Sequence, residues 1–184
     1  MPRIFLGLAC GLLLFFGCEG KRDGVSFDEG AATMQATSTG FQNDETIPQK
    51  YTADGENVSP PLSWSGAPEG MKSFALICDD PDAPRGTWTH WLLYNLPPEK
   101  NELPEAVPTT ETLSDGARQG KNSFGKIGYG GPSPPKGKPH RYFFKIYAVD
   151  TMLELPAGAS RDQLEKALDR HVLAHGQLMG KYGR

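Results

Sequence analysis

Apolar residues along the chain gather into a few short, dense runs separated by long polar stretches. Lys72–Asp79 (KSFALICD), His90–Leu96 (HWLLYNL) and Arg141–Val149 (RYFFKIYAV) are rich in large side chains and bounded by turn residues, the pattern of core strands. Thr33–Phe41 alternates Met34, Ala36 and Ser38 against threonines, which predicts a half-exposed edge strand. Pro60 and Pro61 force an extended backbone that turns Leu62 and Trp64 to one side. A single stretch carries helical spacing. Over Arg161–Ala174 the residues Leu164, Leu168, His171 and Val172 form one stripe, Ser160 and Gln163 make a capping box, and Gly176 is available as terminator. Gln177–Tyr182 reads as a last strand.

The remaining segments are punctuation. Ile47–Asn57 is turn-rich, Glu99–Gly116 is polar and without period, and Ser123–Pro135 is a long glycine-rich loop after a short strand at Ala117–Asn122. With 22 glycines and 16 prolines in 184 residues, turns and short strands are favoured over long helices. One all-β domain with one late helix, a sandwich or barrel, fits this order better than an α/β fold.

Ile4–Phe16 stands apart from that domain. It contains nothing polar beyond Gly7, Cys10 and Gly11, follows Arg3, and is too short to span a bilayer, which suits the apolar region of a signal peptide. It runs into Gly17-Cys18 and then turns abruptly polar. A small residue followed by cysteine at this place resembles the lipobox of bacterial lipoproteins, although Phe15 and Phe16 stand where that motif prefers leucine and a small residue. The expectation is a signal peptide over residues 1–17, lipidation at Cys18, a linker over 18–32 and a domain over 33–184. A lipid-anchored protein of the bacterial cell envelope follows, facing the periplasm or exterior, with a soluble secreted or periplasmic protein as the alternative.

Charge and cysteines narrow the function. A net charge of −3 argues against a nucleic-acid partner, and cysteines at 10, 18 and 78 do not make a disulfide framework. Cys78 alternates with Phe74 and Leu76 and reads as a buried thiol.

Two places bring titratable groups to strand ends. Asp79, Asp80 and Asp82 leave the first core strand through a proline-stiffened loop, and His90 opens the next strand. His140 opens the third after a second Gly/Pro loop, Gly128–Pro139. Neighbouring strands would bring Asp80 and Asp82 near His90, where a carboxylate favours imidazolium. The plain alternative is a solvated aspartate turn and two structural histidines. Two histidines and an aspartate suffice for a zinc centre, but their spacing matches no tight ligand motif. His171 and His175 stand four apart on the expected helix without the glutamate of a zincin, so no metal and no cofactor is expected. Nucleophile-elbow, P-loop and dinucleotide motifs are absent from the sequence, and Ser133 is the one nucleophile candidate near the histidines.

Asp80-Pro81-Asp82-Ala83-Pro84, Trp88-Thr89-His90-Trp91 and Pro134-Pro135-Lys136-Gly137 leading to His140-Arg141-Tyr142 resemble the phosphatidylethanolamine-binding protein family, in its bacterial, Raf kinase inhibitor-like branch. The resemblance runs from about Met34 to Arg184. It implies a mainly β sandwich with one late C-terminal helix and few short helices. It also implies a small anion pocket at Asp80, Asp82, Trp88, His90, Pro135, His140 and Tyr142. Ser133 stands where relatives carry glycine or another small residue, and the Lys138-Pro139 approach to His140 is short. The expected function is non-enzymatic binding of a phosphate or phosphorylated head group, with an unidentified protein partner modulated by it. The alternatives are a His/Asp-dependent hydrolase and a protease-inhibitor-like interaction module presenting Glu99–Gly116.

Overall fold

A computed structural model describes Val25 and residues 31–184 of the chain, so the expected signal segment, Cys18 and most of the linker lie outside the described residues. Among the described residues nine strands, in chain order, are β1 (Ala32–Thr33), β2 (Gln35–Thr37), β3 (Leu62–Ser65), β4 (Ser73–Asp80), β5 (Trp88–Leu96), β6 (Glu102–Leu103), β7 (Arg118–Gln119), β8 (His140–Val149) and β9 (Val172–Tyr182). One α-helix, α1 (Arg161–Leu168), lies between β8 and β9. A six-stranded sheet has the order β1-β9-β8-β4-β5-β7, and a three-stranded sheet the order β2-β3-β6. The fold is mainly β with one α-helix among the described residues.

Alternation along the long strands builds two cores. Phe74, Leu76 and Cys78 of β4, with Tyr142, Phe144 and Ile146 of β8, face Leu62 and Trp64 of the small sheet. Ala75 and Ile77, with Tyr147 and Val149, face the other way and are covered by Leu164 and Leu168 of α1. Each such fully buried side chain contributes roughly 1.5–3 kcal/mol of transfer free energy. The large sheet is therefore apolar on both faces, which is why its strands read as continuous hydrophobic runs.

The helix is shorter than its sequence stripe suggests. The Ser160–Gln163 capping box forms in full, but the helix stops at Leu168, and Arg170 turns the chain at φ 63°. Val172 and Ala174 are then buried as strand residues on opposite faces of the sheet, separated by a register shift, with Val172 in the helix-covered core and so continuing the helical stripe in the sequence. Consequently His171 and His175 are not on a helix: His171 pairs with Asp150, and His175 lies opposite Tyr147 in the sheet. Gly176 terminates nothing. It sits inside β9, where a Cβ would come 2.5 Å from the Met34 carbonyl oxygen.

Candidate functional site

Strand direction alone assembles the site. β4 is antiparallel to both β5 and β8, so its C-terminal end lies between their N-terminal ends. Asp79 and Asp80 end β4, Trp88 and His90 begin β5, and His140 begins β8. Three strand ends, one of them about 60 residues from the other two in sequence, thereby meet at one end of the sheet.

His90 reaches this place through an irregularity. Cys78 pairs with Trp91 and Asp79 with Thr89, leaving His90 as the extra residue of a β-bulge. Strict alternation from Leu92 and Tyr94 would send His90 to the helix-covered face. The bulge returns it to the face of Asp80, where its ring lies edge-on to Tyr142 with centroids 5.2 Å apart. It is 2 % exposed.

Each histidine is held by one ring nitrogen. His90 Nδ1 donates to the Gly130 carbonyl at 2.5 Å, while the Gly130 amide donates back to the His90 carbonyl at 2.9 Å. His140 Nδ1 donates to Asp80 Oδ2 at 2.8 Å. A carbonyl only accepts, so Nδ1 of His90 carries the proton and Nε2 is left to the cavity. Neither Nε2 has a protein partner among the described residues. Burial pushes the His90 pKa below its ordinary value, against the opposing pull of the Gly130 carbonyl and the Asp80 and Asp79 carboxylates. This reverses the expectation that nearby aspartates make His90 an imidazolium: in the free protein, desolvation is the larger effect.

The carboxylates divide. Asp80, 3 % exposed, accepts the Asp82 amide on Oδ1 at 2.8 Å and His140 on Oδ2. Asp82 does not line the histidine pocket but a neighbouring cavity that shares Pro135 and His140 with it; Arg141 Nε and Nη2 clamp it at 2.8 and 2.7 Å, and that guanidinium holds its pKa down at about 2. Asp79 points through the sheet to Lys145 and Arg161, at 3.0 and 3.2 Å.

A cavity of about 190 Å³ lies between these groups, lined by Asp80, Trp88, His90, Pro135 and His140, with Ala83, Pro84, Phe124, Ser133 and Pro134 closing it. Of the seven residues expected at a pocket, five thus line it. Tyr142 lies beneath, its hydroxyl buried close to Asp80. Burial and the Asp80 charge raise its pKa, so it stays protonated. Asp82 lines a neighbouring cavity of about 340 Å³ with Lys136 and Lys138. Ser133 makes no hydrogen bond to either imidazole, so no nucleophile–base pair is formed among the described residues.

Two contributors were not singled out from the sequence. Phe124 is 42 % exposed and packs edge-on against Trp88 and His90, at 5.4 and 5.5 Å. Its turn is built by Asn122, whose Oδ1 accepts the Phe124 and Lys126 amides, and is tied to β5 by Ser123. Gly130 and Gly131 are the other pair. A Cβ on Gly131 would sit 2.5 Å from the Tyr51 carbonyl oxygen, so only glycine lets this backbone pass close enough to hold His90. The glycines of Ser123–Pro135 were the available signal.

A family model described as phosphatidylethanolamine-binding protein matches residues 37–183. The chain is 51 % identical over 151 residues to a UPF0098 protein of Methanothermobacter thermautotrophicus, covering 82 % of this chain and 99 % of the relative. Among solved structures it is similar to a phosphatidylethanolamine-binding protein homologue of Chlamydia trachomatis, with a TM-score of 0.75 and 41 % identity, covering 83 % of this chain and 98 % of that one. It is also similar to E. coli YbcL, described as a member of the mammalian family, with a TM-score of 0.77 and 35 % identity, covering 83 % of this chain and 99 % of that one.

Proposed function

The chain belongs to the phosphatidylethanolamine-binding protein family, and from that premise we propose that it is a non-enzymatic binding protein whose histidine pocket takes a phosphate or a phosphorylated head group. The observation that carries this reading is the convergence of two imidazoles on one small cavity, each fixed through Nδ1 with Nε2 unengaged. Such a pair recognises a tetrahedral oxyanion that shares a proton with it. A neutral Nε2 accepts from a protonated phosphate oxygen, and a charged one donates to a bare oxygen. Asp80 is already spent on His140 and on a backbone amide, so it orients the ring more than it repels the ligand. Ser133 lines the pocket but hydrogen-bonds neither imidazole among the described residues, which favours a reading in which the pocket holds its ligand.

The cell-envelope location is proposed from Ile4–Phe16 and Cys18 alone: a lipidated Cys18 would tether the domain and leave the pocket free in the periplasm or exterior. Native mass spectrometry of the protein purified from its own envelope, followed by titration with inorganic phosphate, tests the binding reading. A retained phosphorus-containing ligand, or saturable phosphate binding after its removal, is expected. Turnover of a phosphorylated or ester substrate that is lost in a His140→Ala variant would instead favour the hydrolase.

A further inference from the structure

A second cavity, of about 500 Å³, adjoins the histidine pocket, and the two share Phe124 and Ser133 as lining. Gly130 joins them as well: its carbonyl fixes His90 on one side, and its backbone lines the larger cavity on the other. We propose that the two cavities form one two-lobed site for a phosphate monoester that also carries a carboxylate. The phosphate lies at His90 and His140, the carboxylate lies at Lys126, and the stem runs along Phe124 and Ile127. This inference rests on the phosphate reading of the smaller lobe.

The lining of the larger lobe selects the second group. Lys126 is the single charged side chain there, and it has no ion-pair partner among the described residues. Asn57 accepts the Gly131 amide on Oδ1 at 2.8 Å, which orients its amide nitrogen as a remaining donor. Thr109 and Ser133 add hydroxyls that are uncommitted among the described residues. No Asp or Glu lines the lobe. A lining with one ammonium, several donors and no carboxylate is complementary to an acceptor-rich monoanion and provides no counter-charge for a cation. The ammonium of phosphoethanolamine would face Lys126 with like charge, whereas a carboxylate would pair with it. Phe124 and Ile127 supply the apolar wall that a short carbon stem needs between two polar ends.

Calorimetric titration of the wild-type domain with inorganic phosphate, phosphoethanolamine and 3-phosphoglycerate tests the inference. The expected order places 3-phosphoglycerate about threefold to tenfold tighter than either other ligand, the range of a partly exposed charge-assisted contact. Lys126→Gln should erase that advantage and leave inorganic phosphate affinity unchanged. Phosphate binding with no preference for 3-phosphoglycerate, or a preference that survives Lys126→Gln, overturns the two-lobed site and spares the histidine pocket. Failure of inorganic phosphate to bind at all overturns both readings together.

Discussion

Asp79 and Asp80 share a peptide bond and serve opposite faces of the large sheet. Asp80 meets His140 in the pocket, while Asp79, 1 % exposed, meets Lys145 and Arg161 beside the helix. The period of two along β4 thus splits one acidic dipeptide into a part that orients a ligand-facing ring and a part that fastens α1 to the sheet.

Asp79→Ala removes a buried carboxylate between two half-screened cations, one 29 % and one 16 % exposed. Breaking a fully buried pair costs about 3–5 kcal/mol, and the partial exposure of Lys145 and Arg161 reduces this to about 2–3 kcal/mol. The urea midpoint should fall accordingly, with phosphate affinity changing less than on loss of a pocket histidine because the residue lies across the sheet from the cavity and acts on His90 only through its charge. An unchanged midpoint would show that the network contributes nothing to holding the helix.

Asp82→Asn tests the separation of Asp82 from the pocket. Arg141 depresses the folded pKa of Asp82 to about 2, below its unfolded value, so its stabilisation is present above the unfolded pKa and lost as pH falls towards the folded one. The variant should be less stable than wild type at neutral pH by about 0.5–1 kcal/mol, as for a surface pair, and the gap should close between about pH 4 and pH 2. Phosphate affinity and its pH dependence should stay as in wild type. A shifted binding profile would place Asp82 back in contact with the histidines.

Cys18→Ser addresses the envelope proposal, on residues outside those the structure describes. Metabolic fatty-acid labelling should disappear, and an unprocessed precursor should accumulate. Labelling at the wild-type level would leave the alternative of a cleaved, soluble protein.

Much of this arrangement was legible in the chain. β4, β5 and β8 announce themselves because they are buried on both faces, and the Asp80-Pro81-Asp82 and His140-Arg141-Tyr142 blocks mark the strand ends that meet. What stayed hidden is set by geometry that no single residue encodes. The bulge that turns His90 to the pocket lies in Thr89-His90-Trp91, with neither glycine nor proline to signal it. The pairing of Asp80 with His140, rather than with His90, depends on β8 lying beside β4, a neighbour 60 residues away. The helix end was missed because Val172 satisfies a helical and an extended period equally. Phe124 was passed over because an exposed aromatic in a loop carries no period at all.

The central claim is that two histidines bind an anion through a shared proton, and one titration tests it most directly. Inorganic phosphate is titrated calorimetrically into wild type and His140→Gln between about pH 5 and pH 9, with the urea midpoint of each as a control for folding. Glutamine can still donate to Asp80 but has no second ring nitrogen to offer the anion. Burial lowers the His90 pKa, so its charged form is lost early as pH rises, and dihydrogen phosphate gives way to the dianion within the same titration range. Wild-type affinity should therefore weaken as pH rises. The variant should bind about tenfold to a hundredfold more weakly at the acid end, the equivalent of roughly 1.5–3 kcal/mol for a charge-assisted hydrogen bond. Equal affinity in both proteins, flat with pH, would contradict the account and make the two histidines structural.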